Sequence, residues 1–198
     1  MIVNVMGTYI FAVDSRDGKV LWKVNYPEIN AATGRVMKNH AITPVFRDGY
    51  ILIANGYNWV ALKLKLSVDG NSAEVVWENR NFDPQFGGMV LLGDNIYGTN
   101  HMSKPSNMWV CVDWNTGKTL WTSKWYNQGS VISADGMLYL FEEKSGHVGL
   151  VKPDPSKLDV VSEYQVTKGE GPFWAHPVIS DGKLYIRHGD YLMVYRIK

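Results

Sequence analysis

Five histidines, His40, His101, His147, His176 and His188, are the side chains in this 198-residue chain best suited to proton transfer or metal ligation. No two stand at the His-x-x-x-His spacing that lays two imidazoles on one helix face, so a zinc site would depend wholly on the fold. The single Cys111 excludes an internal disulfide and any multi-cysteine metal site. There is no Gly-x-Ser-x-Gly elbow and no phosphate-cradling loop. Asp69-Gly70-Asn71 reads as a surface turn rather than a calcium loop. Aromatic residues are the larger resource, with eight Trp and eleven Tyr. On a loop face, Trp59, Trp125, Tyr126 and Trp174 could stack on sugar rings, although aromatics more often fill a core.

Charge narrows the partners. Twenty Lys plus Arg against nineteen Asp plus Glu leave a formal charge of +1, and the basic residues are scattered. Nucleic acid and anionic membrane are therefore poor partners. No apolar run reaches spanning length, and the opening MIVNVMGTYIF lacks the basic end and cleavage site of a signal peptide. The expectation is a chain that neither spans a membrane nor carries its own export signal.

The elements that must position these groups are short strands. Tyr9 to Trp22, YIFAVDSRDGKVLW, returns at Met108 to Trp121 as MWVCVDWNTGKTLW. Each copy carries a small residue (Ala12, Cys111), an acid (Asp14, Asp113), a Gly (Gly18, Gly117) and a Trp (Trp22, Trp121) at the same spacing. Alternating apolar residues around a glycine turn predict an antiparallel hairpin. Cys111 replaces Ala12 in the repeat, which reads as core packing rather than a reactive thiol. A weaker copy runs from Trp59 to Trp77 with Lys63 in the acid's place, and another from Val148 to Tyr164 with Tyr replacing Trp. The last starts at Tyr191 and stops at Lys198 without a second strand.

A second hairpin alternates with the first: TPVFRDGYILIA, GMVLLGDNIYGT, SVISADGMLYLF and HPVISDGKLYIR. Gly49, Gly136 and Gly182 supply its turn, with Asn95 in the equivalent place of the remaining copy. Labelling these strands A and B, and those of the Trp hairpin C and D, the order is C-D, three times A-B-C-D, then A-B-C, or seventeen strands. Four strands per period in the forties with one recurring aromatic predict an all-β chain, a β-propeller of four-stranded antiparallel blades, about four blades' worth. A meander sandwich is the alternative, but it leaves the recurrent spacing unexplained. The predicted units form one domain: 1–26 (strands C-D of a split blade), 39–82, 83–126, 127–167, and 172–198 (strands A to C).

The pattern Ala-x-Asp-x-x-x-Gly-x-x-x-Trp resembles the tryptophan-docking repeat of quinoprotein-like, or PQQ-type, β-propellers, whose blades usually number eight. The stretch from Gly129 through Trp174-Ala175-His176-Pro177 to His188-Gly189 is similar to the tail of secreted PQQ-like propellers of Bacteroidetes and Planctomycetes. The resemblance implies structural roles: Trp22, Trp77 and Trp121 dock between blades, while Asp14 and Asp113 cap backbone donors. It also implies a periplasmic or extracellular location.

Seventeen strands are half of an eight-bladed ring. The opening C strand, Thr8 to Asp14, is surplus to a closed four-bladed ring, so the chain reads as the C-terminal half of a longer propeller. Exposed blade faces then favour a second copy or a missing N-terminal half as partner, with the closed ring as the alternative. D-A and B-C connections share one end of such a scaffold, and the long loops there form the candidate ligand face: His40, Trp59, His101, Trp174, His176 and His188.

Three functions compete. A non-catalytic binding or assembly scaffold fits the decayed repeat, the lone Cys and the lack of a convergent acid/base set, and implies no cofactor. Part of a PQQ-dependent dehydrogenase, with calcium and PQQ at the axis, lacks an adjacent cysteine pair and an acidic calcium cluster. Carbohydrate binding through exposed aromatics is the third.

Overall fold

A computed structural model describes residues 1–6, 9–29 and 40–197. Thr8, Asn39 and Lys198, which bound predicted elements, lie outside the described residues. The chain forms five antiparallel sheets whose strands pair in chain order. Blade I holds β1 (Ile2–Met6), β2 (Tyr9–Val13) and β3 (Val20–Asn25), followed by the short helix α1 (Tyr26–Ile29). Blade II holds β4 (Val45–Arg47), β5 (Tyr50–Ile53), β6 (Ala61–Leu66) and β7 (Ala73–Asn79). Blade III holds β8 (Val90–Leu92), β9 (Asn95–Thr99), β10 (Trp109–Asp113) and β11 (Thr119–Ser123). Blade IV holds β12 (Gly129–Ala134), β13 (Met137–Glu142), β14 (His147–Lys152) and β15 (Asp159–Gln165). Blade V holds β16 (Val178–Ser180), β17 (Lys183–His188) and β18 (Tyr191–Arg196).

The opening unit is B-C-D rather than the predicted C-D, because β1 pairs with β2 from Ile2↔Val13 to Met6↔Tyr9. Elsewhere a B strand is marked by the glycine turn ahead of it. Ile2–Met6 has no such turn in front and escaped the repeat pattern.

Register explains the A-B turns. Asp48-Gly49, Asp135-Gly136 and Asp181-Gly182 all have positive φ at both positions, as the two-residue type I′ hairpin turn requires. Blade III differs. Leu92 pairs with Asn95, so Asn95 is not the turn residue but the first residue of the return strand. The turn there is Gly93-Asp94 with positive φ only at Gly93, the type II′ form.

The Trp hairpins share one bulge, between Ala12/Val13, Lys63/Leu64, Cys111/Val112 and Leu150/Val151. A bulge puts two residues against one and tightens the local twist. Opposite it stand Trp22 against Ala12, Trp77 against Lys63, Trp121 against Cys111 and Ser162 against Leu150. Two sequence readings are corrected by this register. Lys63 stands in the small residue's place, leaving Lys65 in the acid's, and the tryptophan place of blade IV belongs to Ser162, with Tyr164 two residues beyond. Apolar alternation alone cannot see a one-residue bulge, and that bulge decides the register.

Four apolar cores fill the spaces between successive blades. Ile10, Trp22, Ile53, Trp59 and Leu64 join blades I and II; Leu52, Trp77, Ile96 and Val112 join II and III. Tyr97, Cys111, Val131 and Leu140 join III and IV; Phe141, Val148, Leu184 and Ile186 join IV and V. Among the described residues no apolar core joins blades I and V. Ile2 and Val20 on blade I and Leu192 and Val194 on blade V are exposed. Among the described residues no strand pairs with the outer edges of β1 or β18.

Trp77 illustrates the joints. Its Nε1 donates to the Trp114 carbonyl of the next blade at 3.0 Å. Its ring covers Gly117, where a Cβ would come within 2.5 Å of the indole and where φ is +73°. Only glycine meets both demands. Trp121 donates in the same way to the Asp154 carbonyl at 2.9 Å. Trp22 is buried in the first core, its Nε1 without a hydrogen-bond partner among the described residues. Asp14 accepts from the Arg16 backbone N–H and guanidinium, and Asp113 from the Thr116 N–H and hydroxyl. The Arg16 side chain and N–H together hold Asp14 far below the usual carboxylate range.

Cys111 is fully buried, and burial pushes its thiol up to about 12. The thiolate is the nucleophile, so the folded protein should resist an aromatic disulfide reagent at pH 8. We expect Cys111 to react at least ~100-fold more slowly in the native protein than in urea. Comparable rates would show that this core opens.

Candidate ligand site where the blade-entry segments meet

Asp83 organises the loops on this face. It is fully buried, and its carboxylate accepts backbone N–H groups from Asn58 (2.9 Å), His101 (3.0 Å), Met102 (3.0 Å) and Ser103 (3.3 Å). One side chain thus ties the B-C loops of blades II and III to the segment entering blade III. Tyr57 and Asn58 have φ of 70° and 63°, a conformation that costs about 1–3 kcal/mol for a non-glycine residue. The Asn58–Asp83 bond helps hold this strained pair and so fixes Tyr57.

Tyr57 forms one wall of a cavity of about 370 Å³ completed by Ala41, Gln85, Phe86 and Trp174. These residues come from blades II, III and V. His176 reaches past blade IV to place its Nε2 2.6 Å from the Phe86 carbonyl. A carbonyl only accepts, so Nε2 carries the proton in this bond. Contact between non-neighbouring blades sets the cavity toward the axis of the stack. Its walls are mainly aromatic: Trp174 packs on Phe86 at 5.9 Å between ring centroids, and Tyr57 meets His101 edge-on at 5.1 Å.

A chain of amides lies behind the aromatics. Gln85 Nε2 donates to the Tyr57 hydroxyl at 2.7 Å. Gln128 Nε2 lies 3.0 Å from Glu143 Oε1 and 3.0 Å from His101 Nδ1. Trp174 Nε1 donates to Glu143 Oε2 at 3.3 Å. Trp174 is nevertheless 58% exposed, so its ring face is open to a ligand.

The structure divides the six residues of the predicted ligand face. Trp174, His101 and His176 gather around the cavity. Trp59 does not belong to the surface: it is fully buried and packs against Tyr26 at 4.5 Å, with His40 edge-on to it at 5.6 Å. His188 also serves the fold. It stacks on Phe173 at 3.6 Å and both ring nitrogens lie 2.7 Å from carbonyls, of Lys168 and Gly171. Of the aromatics weighed for sugar stacking, Trp59 and Trp125 are buried, while Tyr126 and Trp174 are exposed. Tyr126 is engaged on its face by His147, stacked at 3.5 Å. Tyr57, Gln85, Phe86, Asp83 and Glu143 went unnoticed in the sequence. Their signal is position alone, in the segments before the A strands and after the B strands.

Chemically, the described arrangement consists of stacked rings and hydrogen-bonded amides. Among the described residues no three His, Cys, Asp or Glu side chains group to hold a metal ion. Glu143 and His101 are separated by the Gln128 amide, so neither activates the other. PQQ, a flat quinone with three carboxylates, needs cationic partners. Among the described residues the cavity walls offer no Lys or Arg, and the group behind them is the Glu143 carboxylate. The described residues of the cavity do not fit that cofactor.

Blade-like sheets stacked face to face define a β-propeller. A family model described as outer membrane protein assembly factor BamB matches residues 2–123, and the chain belongs to that family of PQQ-type repeats. No curated protein matches it. Solved structures with the same fold include BamB from Moraxella catarrhalis, at 13% identity and a TM-score of 0.59 over 98% of this chain and 56% of that one. Sqt1 from Saccharomyces cerevisiae matches at 10% identity and a TM-score of 0.68, over 98% of this chain and 57% of that one. Quinohemoprotein alcohol dehydrogenase ADHIIG from Pseudomonas putida HK5 matches at 13% identity and a TM-score of 0.65, over 98% and 40%. The chain thus spans about half the length of these propellers. No helix of the described residues is long and apolar enough to cross a membrane.

Proposed function

We propose that the chain is a non-catalytic binding or assembly scaffold whose ligand face is the cavity of Tyr57, Gln85, Phe86 and Trp174. The observation that carries this reading is the cavity itself: aromatic walls on three blades, with its polar groups already hydrogen-bonded to one another. Such a surface grips an incoming group by burial and stacking. Membership of a family named for outer-membrane assembly supports an envelope role, and with it a periplasmic or extracellular location. In this scaffold Trp22, Trp77 and Trp121 act as docking residues between blades, and Asp14 and Asp113 as caps of their turns.

A photo-crosslinking residue in place of Trp174 tests the ligand face in cells that export the chain. One discrete crosslinked species is expected, and the same residue at exposed Val68 should give none. Equal labelling from both positions contradicts the reading.

The exposed outer faces of blades I and V support a further partner, a second copy or the other half of a longer propeller. Sedimentation across a concentration series is expected to show reversible association; a monomer at every concentration contradicts it. Carbohydrate binding rests on the open ring of Trp174, and glycan-array binding lost in Trp174→Ala would favour it. The dehydrogenase reading has the fold of a quinohemoprotein neighbour behind it, but not the residues around the cavity.

A further inference from the structure

Three of the four complete C-D hairpins place an indole at one register position, and the fourth does not. Trp22, Trp77 and Trp121 oppose the bulged residue of their blades, where blade IV has Ser162. The missing ring leaves space. A cavity of about 340 Å³ lies between blades IV and V, walled by Leu150, Ser162, Tyr164, Leu184, Tyr195 and Ile197 among others. Ile197 is the counterpart of Trp114: each donates its N–H back to the A-B turn of its own blade, to Gly182 and Asp94 respectively. The Trp114 carbonyl is the acceptor of the Trp77 indole, while Trp121 donates one residue further along its neighbour, to Asp154; by the Trp77 precedent the Ile197 carbonyl is the acceptor open to an indole N–H in this cavity. The Tyr164 hydroxyl is buried with no hydrogen-bond partner among the described residues, which leaves a polar group for a ligand to satisfy.

We propose that this cavity is a vacant tryptophan socket and binds an indole-sized aromatic ring bearing one N–H donor, free or carried on a peptide. The aliphatic and aromatic walls take the ring, with Arg196 also in the lining, and the Ile197 carbonyl takes its N–H. The site is separate from the Trp174 cavity and does not depend on its function.

Calorimetry with indole on the whole chain tests the proposal. We expect one site, with a Kd on the order of 0.1–1 mM for so small a ligand. Benzofuran, which has the same shape without the N–H, should bind at least ~3-fold more weakly, in line with one lost hydrogen bond. Ser162→Trp should fill the socket, abolish indole binding and raise Tm by a few degrees, on the order of 2–5 °C. Should that variant fold poorly, methyl NMR on the wild type decides: indole should shift Leu150, Leu184 and Ile197 and leave Leu62 unmoved. A tryptophan tripeptide that binds more tightly than indole assigns the ring to a peptide; weaker binding assigns it to a free metabolite. No binding at 5 mM indole, roughly five times the weakest expected Kd, would falsify the proposal, as would shifts confined to other blades.

Discussion

Asp83→Ala is expected to destabilise the protein by about 3–5 kcal/mol, because the buried carboxylate is the shared acceptor of four backbone N–H groups. Its removal strands donors in two B-C loops at once, and each buried orphan costs about 1–3 kcal/mol unless water reaches it. The strained Tyr57-Asn58 pair loses its anchor at the same time, so the cavity wall loosens with the fold. Asp83→Asn keeps one oxygen acceptor and should cost less, about 1–3 kcal/mol. Urea denaturation of the variants measures both. A loss under about 1 kcal/mol for the alanine variant would show that these loops do not depend on the clamp.

Trp77→Ala is the second large effect. The side chain is buried between blades II and III, covers Gly117 and donates to the Trp114 carbonyl, so truncation leaves a cavity and an unpaired acceptor together. Burial of an indole in a packed core makes the expected loss about 3–5 kcal/mol. Trp77→Phe keeps most of the packing and loses the N–H, which should cost about 1–2 kcal/mol. In this stack the apolar cores join neighbouring blades, so the damage should propagate as partial unfolding. Hydrogen exchange should then accelerate in blades II and III before blade IV. Uniform acceleration across all blades would mean that the joints are not separate units.

Much of this architecture is legible in the residues, and the parts that are not share a cause. Asp-Gly turns at Asp48, Asp135 and Asp181 announce their hairpins because positive φ is demanded locally, within two residues. The Trp repeats are visible for the same reason. Register across a bulge is not local: whether Lys63 or Lys65 matches Asp113, and whether Ser162 or Tyr164 faces Leu150, depends on where one extra residue is absorbed. The ligand face is legible in outline and not in detail. Trp174 and His176 lie in the expected loops and meet the cavity, yet Trp59, equally aromatic and equally close to a loop, is the center of a core. Composition cannot separate the two, since the difference is which blade lies next to each ring. Asp83 carries the least signal of all: an Asp-Pro dipeptide whose importance comes from four N–H groups supplied by residues 58 and 101–103.

The central claim is that this PQQ-type propeller binds through an aromatic cavity that is not a quinone site. Calorimetry of the purified chain with PQQ, with and without calcium, addresses it directly. The account predicts no saturable heat and no change in Tm at either calcium level, because the described cavity walls offer three carboxylates no cation and Glu143 stands behind them. Calcium-dependent PQQ binding with a Kd near or below ~1 μM, lost in Trp174→Ala, would contradict it.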